Sequence, residues 1–216
     1  TAYQKVGLTS DVTESGKRDC WGLLFDGSDD SLASSAIDFA TWTQTTRRNL
    51  LVDTESFGTS NWIKQESTVS ENTTTAPDGT TTADTLIPST NSSIVHRIAQ
   101  NAVTTTNGAA LTFSVYAKSD GTYKAVRITI DSPSTFGDFD LENGVASGGT
   151  IQSVGNGWYR CSINLTSGTS SLPRIWCFDT YANATGEVAF TGNGTNGIYI
   201  WGAQLEAGTL TDYQRV

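Results

Sequence analysis

Two acids two residues apart, Asp138 and Asp140 in FGDFDLENG, are the nearest this chain comes to a catalytic pair. Hydrolysis of a glycosidic bond needs one carboxyl held protonated and a second held ionised across one cleft, and strand alternation places these two on one face. The same spacing also describes a solvated strand end beside the turn at Asn143 and Gly144. His96 is the single histidine, so any Ser-His or Cys-His chemistry would have to use it. It lies in IVHRIAQ, which reads as a strand, and no nucleophile-elbow motif accompanies it. The acids of FDGSDDSL, Asp26, Asp29 and Asp30, suggest calcium, but an EF-hand loop would need Gly where Ser31 stands and a carboxylate where Ile37 stands. Catalysis is therefore not expected.

Sugar recognition suits the remaining residues better. A pyranose packs a face of C–H bonds on an aromatic ring, and its hydroxyls seek planar polar partners. If Tyr159, Cys161, Ile163 and Leu165 of WYRCSINL point inward, Trp158, Arg160 and Asn164 point out. In PRIWCFD, Ile175 and Cys177 inward leave Arg174, Trp176 and Phe178 outward. Tyr116 and the pair Tyr123 and Arg127 are assigned to the same non-core surface. Its arginines suit acidic sugars. The competing reading has these aromatics packed against the N-terminal segment or neighbouring subunits. Trp62 and Trp201, set among apolar neighbours, are assigned to packing.

The elements that would carry these residues are strands. Leu111, Phe113, Val115 and Ala117 alternate with Thr112, Ser114, Tyr116 and Lys118, and Val126, Ile128 and Ile130 alternate with Arg127 and Thr129. Abundant Thr and aromatics favour strands, Gly and Asn serve turns, and no helix start is evident. The composition indicates an all-β protein. Thirteen Lys and Arg against 22 Asp and Glu leave a net charge of −9, which opposes binding to nucleic acid or to an anionic bilayer. No apolar run reaches membrane-spanning length. The cysteines Cys20, Cys161 and Cys177 lack a CxxC spacing for zinc. A hairpin centred near Thr169 would set Cys161 opposite Cys177, either bridged or as two buried thiols. The chain contains no Met, and TAYQKV at Thr1 to Val6 returns near the other end as YQRV, as expected of a module seam within something longer.

Six motifs in order, NLL at Asn49, Trp62, APDGTTTAD at Ala76, TFSVYAKS at Thr112, GNGWYRCS at Gly155 and YIWGAQLEAG at Tyr199, resemble a carbohydrate-binding-module-like β-sandwich of bacteriophage tail and virion surface proteins. The resemblance covers about residues 47–216. Residues 1–46, with YQKVGLTSDVTESG leading into LLFDGSDDSL, resemble the opening of a concanavalin-type lectin-like module, too little of it to carry that module's sugar or metal site. The resemblance implies an antiparallel jelly-roll sandwich over 47–216 after an extended arm over 1–46. It implies a non-enzymatic structural and adhesive virion protein, on the head surface or a tail fibre, that binds host-surface polysaccharide and neighbouring virion proteins. Such proteins are often homo-oligomers, trimers among them. Alternatives are an architectural decoration domain without ligand and a polysaccharide-degrading enzyme or its accessory module. Relatives of this kind often hold a structural calcium between first and last strands, which would fall to Glu55 and Glu206.

Overall fold

The computed structural model describes residues 49–130 and 135–216. The proposed arm over 1–46, with Cys20 and the FDGSDDSL acids, lies outside the described residues. The strands run β1 (Trp62–Gln65), β2 (Ser67–Thr74), β3 (Ala83–Pro88), β4 (Ser92–Ser93), β5 (Arg97–Gln100) and β6 (Val103–Thr104). Then come β7 (Ala110–Lys118), β8 (Ala125–Ile130), β9 (Thr135–Asp140), β10 (Val145–Ser147), β11 (Thr150–Gly155) and β12 (Trp158–Thr166). The chain closes with β13 (Ser170–Ser171), β14 (Pro173–Phe178), α1 (Tyr181–Gly186), β15 (Phe190–Thr191) and β16 (Ile198–Ala207).

Two six-stranded antiparallel sheets form a sandwich of jelly-roll type. The first runs β1-β5-β14-β8-β9-β10 and the second β11-β12-β7-β16-β3-β2. The chain passes repeatedly from one sheet to the other, so each sheet buries the inward residues of strands far apart in sequence. From β7 come Leu111, Phe113, Val115 and Ala117; from β8, Val126, Ile128 and Ile130. β12 and β14 contribute Cys161, Ile163, Ile175 and Cys177. The alternation of these strands is thus the alternation of core and outer face.

β16 breaks that alternation. Ile198 and Ile200 face the core, and so do Ala203 and Leu205. The change of parity comes from a bulge between Trp201, opposite Tyr116, and Gln204, opposite Ser114. Gly202 occupies it at φ 61°, where a Cβ would meet the Tyr116 ring at 3.0 Å, so both the backbone and the space favour glycine. The bulge turns Trp201, Gln204 and Glu206 together onto the outer face.

Two expectations are corrected here. The hairpin that would oppose Cys161 and Cys177 does not form: β12 pairs with β7 and β11, whereas β14 pairs with β5 and β8 in the other sheet. Both cysteines are free, and complete burial pushes both thiols well up from their ordinary range. A short helix also exists. Thr180 caps α1, accepting from the Asn183 N–H at 3.1 Å, and Glu187 ends it at φ 51°. At six residues it is too short to leave a helical period.

Candidate functional site

On the outer face of the second sheet, register sets Arg160 beside Tyr116 and Tyr116 beside Trp201. Trp158, Arg160 and Tyr116 therefore point outward as the alternation predicts, but they do not meet solvent as an open platform. Trp158 is 2% exposed, packed with Ala76, Ala83 and Trp201, and its indole N–H donates to the Thr75 carbonyl at 3.1 Å. Arg160 is buried: Nη1 donates to the Thr211 carbonyl at 2.6 Å and Nη2 to the Ser114 hydroxyl at 3.2 Å. The half-buried Tyr116 ring meets Trp201 and Tyr213 edge-on, and burial raises its hydroxyl pKa. The stretch at Thr75 and Ala76 packs on Trp158, and the chain's own last segment lies over Arg160 and Tyr116. Alternation assigns a face, but it says nothing of what lies over that face.

Glu55 and Glu206, proposed above as calcium ligands, hold this same segment. Glu206 accepts from the Thr211 N–H at 2.9 Å, the Thr211 hydroxyl at 2.5 Å and the Gln204 amide at 2.8 Å. Glu55 accepts from the Tyr213 hydroxyl at 3.1 Å, and its other oxygen stands 3.3 Å from Arg215 Nε without hydrogen-bond alignment. A calcium ion takes six or more oxygens. Among the described residues no three His, Cys, Asp or Glu side chains are grouped to hold a metal.

The remaining candidates lie on or near the first sheet. Tyr123, expected on a non-core face, is in the core, its hydroxyl accepting from the Asn193 N–H at 2.8 Å. It precedes β8, so the strand's alternation does not govern it. Arg127 does face outward, but it is buried and committed. Nε and Nη2 grip the two Asp138 oxygens at 2.6 and 3.0 Å, Nη2 also reaches the Ala184 carbonyl at 2.7 Å, and Nη1 meets Glu187 at 2.6 Å. Asp138 is therefore an ion-pair partner. Asp140 accepts from the main chain of Glu142 and Asn143 and from the Asn143 amide; burial alone would raise its pKa, but these hydrogen bonds hold it below the ordinary value. Both acids thus have structural partners within the fold. His96 is equally enclosed, its ring nitrogens facing the Glu66 and Phe190 carbonyls at 2.7 and 3.2 Å.

What stays accessible is the other part of that face. Register places Ile63, Ala99, Arg174, Thr129 and Phe136 in one row across the sheet, and Gln65, Arg97, Trp176 and Arg127 in the next. Ile63 and Phe136 are exposed, and Arg97, Arg174 and Trp176 are half-buried. The Arg97 guanidinium lies 4.4 Å from the Trp176 ring centroid and donates to Gln65 at 2.7 and 3.1 Å. Burial and, less strongly, the like charge of Arg174 lower the Arg97 pKa. Among the described residues neither arginine pairs with a carboxylate. Of five buried side-chain polar atoms without a hydrogen-bond partner among the described residues, three belong to this patch: Thr129 Oγ1, Arg174 Nε and Trp176 Nε1. Such atoms are costly and uncommon, so three on neighbouring residues mark a place suited to a polar guest or ordered water.

No family model matches the chain, and no curated protein matches it in sequence. Among solved structures it is similar to the enzymatically active domain of tailspike protein 4 of bacteriophage CBA120, with TM-score 0.42 and 15% identity over 74% of this chain. It is also similar to the CBM22-1 and GH10 modules of the N-terminal endo-1,4-β-D-xylanase 10B of Clostridium thermocellum, solved with xylohexaose, with TM-score 0.38 and 14% identity over 79% of this chain. The chain spans 21% and 29% of those two proteins. No helix among the described residues is long and apolar enough to cross a membrane.

Arg97 and Phe136 were not singled out from sequence. Arg97 was within reach, because Ile98 inward in HRIAQ puts its neighbour outward; Phe136 needed the β8 to β9 register, which places it opposite Thr129.

A buried acid outside this patch gives the fold a pH signature. Asp84 is fully buried and accepts from the Phe57 and Asn72 N–H groups, each at 2.8 Å. Burial outweighs those bonds and pushes its pKa up from 3.8 to about 6. The folded state holds this proton more tightly than the unfolded chain, so the associated stability is full below the unfolded value and is lost as pH rises through the folded one. The melting temperature of wild type minus that of Asp84→Asn should therefore fall from about pH 4 to about pH 6. A difference that is flat or grows over that window rules the assignment out.

Proposed function

We propose that this chain is a non-enzymatic adhesive module of a phage virion surface, on the head or a tail fibre, and that its first-sheet face binds host-surface glycan bearing carboxylates. One observation carries this reading: among the described residues, two guanidinium groups without acidic partners, a half-buried indole and three unpartnered polar atoms share one patch on an otherwise acidic chain. Trp176 and Phe136 offer rings for a pyranose face, and Arg97 and Arg174 offer hydrogen bonds and charge to an acidic sugar. The virion setting rests on the ordered sequence motifs, and so do assembly as a homo-oligomer, such as a fibre trimer, and contacts with other virion proteins. Hydrolysis is not part of the proposal, because Asp138 and Asp140 are both engaged structurally.

The test compares binding of the purified chain to an acidic polysaccharide and to its carboxyl-reduced form. Binding should favour the acidic polymer and weaken as salt rises, and Arg174→Ala should cost about tenfold in affinity at an unchanged fold. Equal binding of both polymers, or an unaffected Arg174→Ala, would move the chain to the architectural alternative.

A further inference from the structure

The chain carries one hexapeptide twice. Residues 211–216 read TDYQRV and residues 1–6 read TAYQKV, sharing Thr, Tyr, Gln and Val, with Lys in place of Arg. The structure shows what the former is for, because residues 211–216 lie in a seat built by Asn49, Thr54, Glu55, Arg160, Gln204 and Glu206.

The seat reads the peptide at a few points. The Thr211 hydroxyl and N–H bind Glu206, and its carbonyl accepts from Arg160. The Tyr213 ring packs 4.7 Å from Trp201, and its hydroxyl reaches Thr54 and Glu55 at 2.8 and 3.1 Å. The main chain of Gln214 is held from both sides: its N–H donates to Gln204 at 2.7 Å and its carbonyl accepts from Asn49 at 3.0 Å. Arg215 supplies a cation 3.3 Å from Glu55, and the main chain of Val216 bonds Thr54. Asp212 is held only through its carbonyl, by Gln204 at 3.3 Å.

The two hexapeptides differ only at Asp212 and Arg215. The first is met through its main chain, and at the second an exposed cation faces a carboxylate, a role that lysine also fills. Every side chain the seat reads is thus present in TAYQKV. We infer that Thr1–Val6 is a second ligand for this seat, docking on another copy of the chain in exchange for that copy's own Thr211–Val216. Within one chain the tethered tail keeps the seat filled by its high effective concentration. Exchange between copies joins them head to tail, because the donated segment and the receiving seat are different surfaces.

The experiment uses the full chain carrying Tyr213→Ala, which loosens its own tail, and adds synthetic peptide at about 1 mM. TAYQKV and TDYQRV should each raise the melting temperature by about 3 °C or more, and a TAYQKV peptide with alanine for tyrosine should not. Rescue by TDYQRV alone, or by neither peptide, overturns the proposal. Should Tyr213→Ala fail to fold, Thr211→Ala, which removes the hydroxyl bonds to Glu206 and to the Asp212 carbonyl, serves in its place. A second measurement converts the tail itself: Asp212→Ala with Arg215→Lys should melt as wild type does, and a loss as large as that of Tyr213→Ala would also overturn it.

Discussion

Arg127→Met should destabilise the fold by about 3 to 5 kcal/mol, a drop in melting temperature on the order of 10 °C. The side chains of Arg127 and Asp138 are 6% and 2% exposed, and the two are joined by paired hydrogen bonds. Removing the guanidinium strands a carboxylate in a place from which water is largely excluded, and the strongest part of the penalty is that uncompensated charge. Arg127 also ties β8 to α1 through the Ala184 carbonyl and Glu187, so the helix loses its anchor at the same time. Asp138→Leu alone should cost a comparable amount, since it leaves the cation buried. The double variant Arg127→Met with Asp138→Leu should recover much of the loss, because an apolar pair of similar volume needs no charge compensation. Denaturant unfolding of the four proteins measures the coupling. Strictly additive losses would show that the pair does not act as a unit.

The same arginine shows what was legible in the sequence. Its place on the outer face of β8 follows from Val126, Ile128 and Ile130, but its commitment to Asp138 depends on β9 lying alongside in one register. The strands of β7 and β12 could be read because each keeps strict alternation over six residues or more, whereas β14 keeps it only to Cys177, and Phe178, expected outward, joins the core. β16 kept it only as far as Trp201, where a single glycine bulge reassigns the faces of everything that follows. The closeness of Cys161 and Cys177 in sequence suggests a hairpin, whereas the chain crosses from the second sheet to the first between β12 and β14. The candidate site was half legible for a related reason. Parity alone finds Arg174 and Trp176, while Trp158 and Arg160 satisfy the same parity on a face covered by the stretch at Thr75 and Ala76 and by the chain's own end. Coverage of that kind is a tertiary fact, written in the partner segment rather than in the strand.

The two tryptophans therefore separate stability from binding. Trp158→Ala should cost about 3 to 5 kcal/mol, because it empties a large buried volume and leaves the Thr75 carbonyl without its donor. Adsorption of the folded fraction to glycan should be unchanged, since Trp158 belongs to the second sheet and the proposed site to the first. Trp176→Ala should do the reverse. Its indole N–H has no partner to lose, and its contact with the Arg97 guanidinium is worth on the order of 1 kcal/mol at a half-exposed position. The melting temperature should fall by only a few degrees. Binding should weaken by about tenfold or more, because the ring is the platform on which a pyranose would stack and such rings contribute about 1 to 3 kcal/mol at binding sites. Calorimetric melting beside equilibrium binding on the same two variants decides the matter. If Trp176→Ala melts far below wild type yet binds glycan as before, the ring belongs to the packing of the sheet, and the first-sheet face is then a surface for another protein rather than for a sugar.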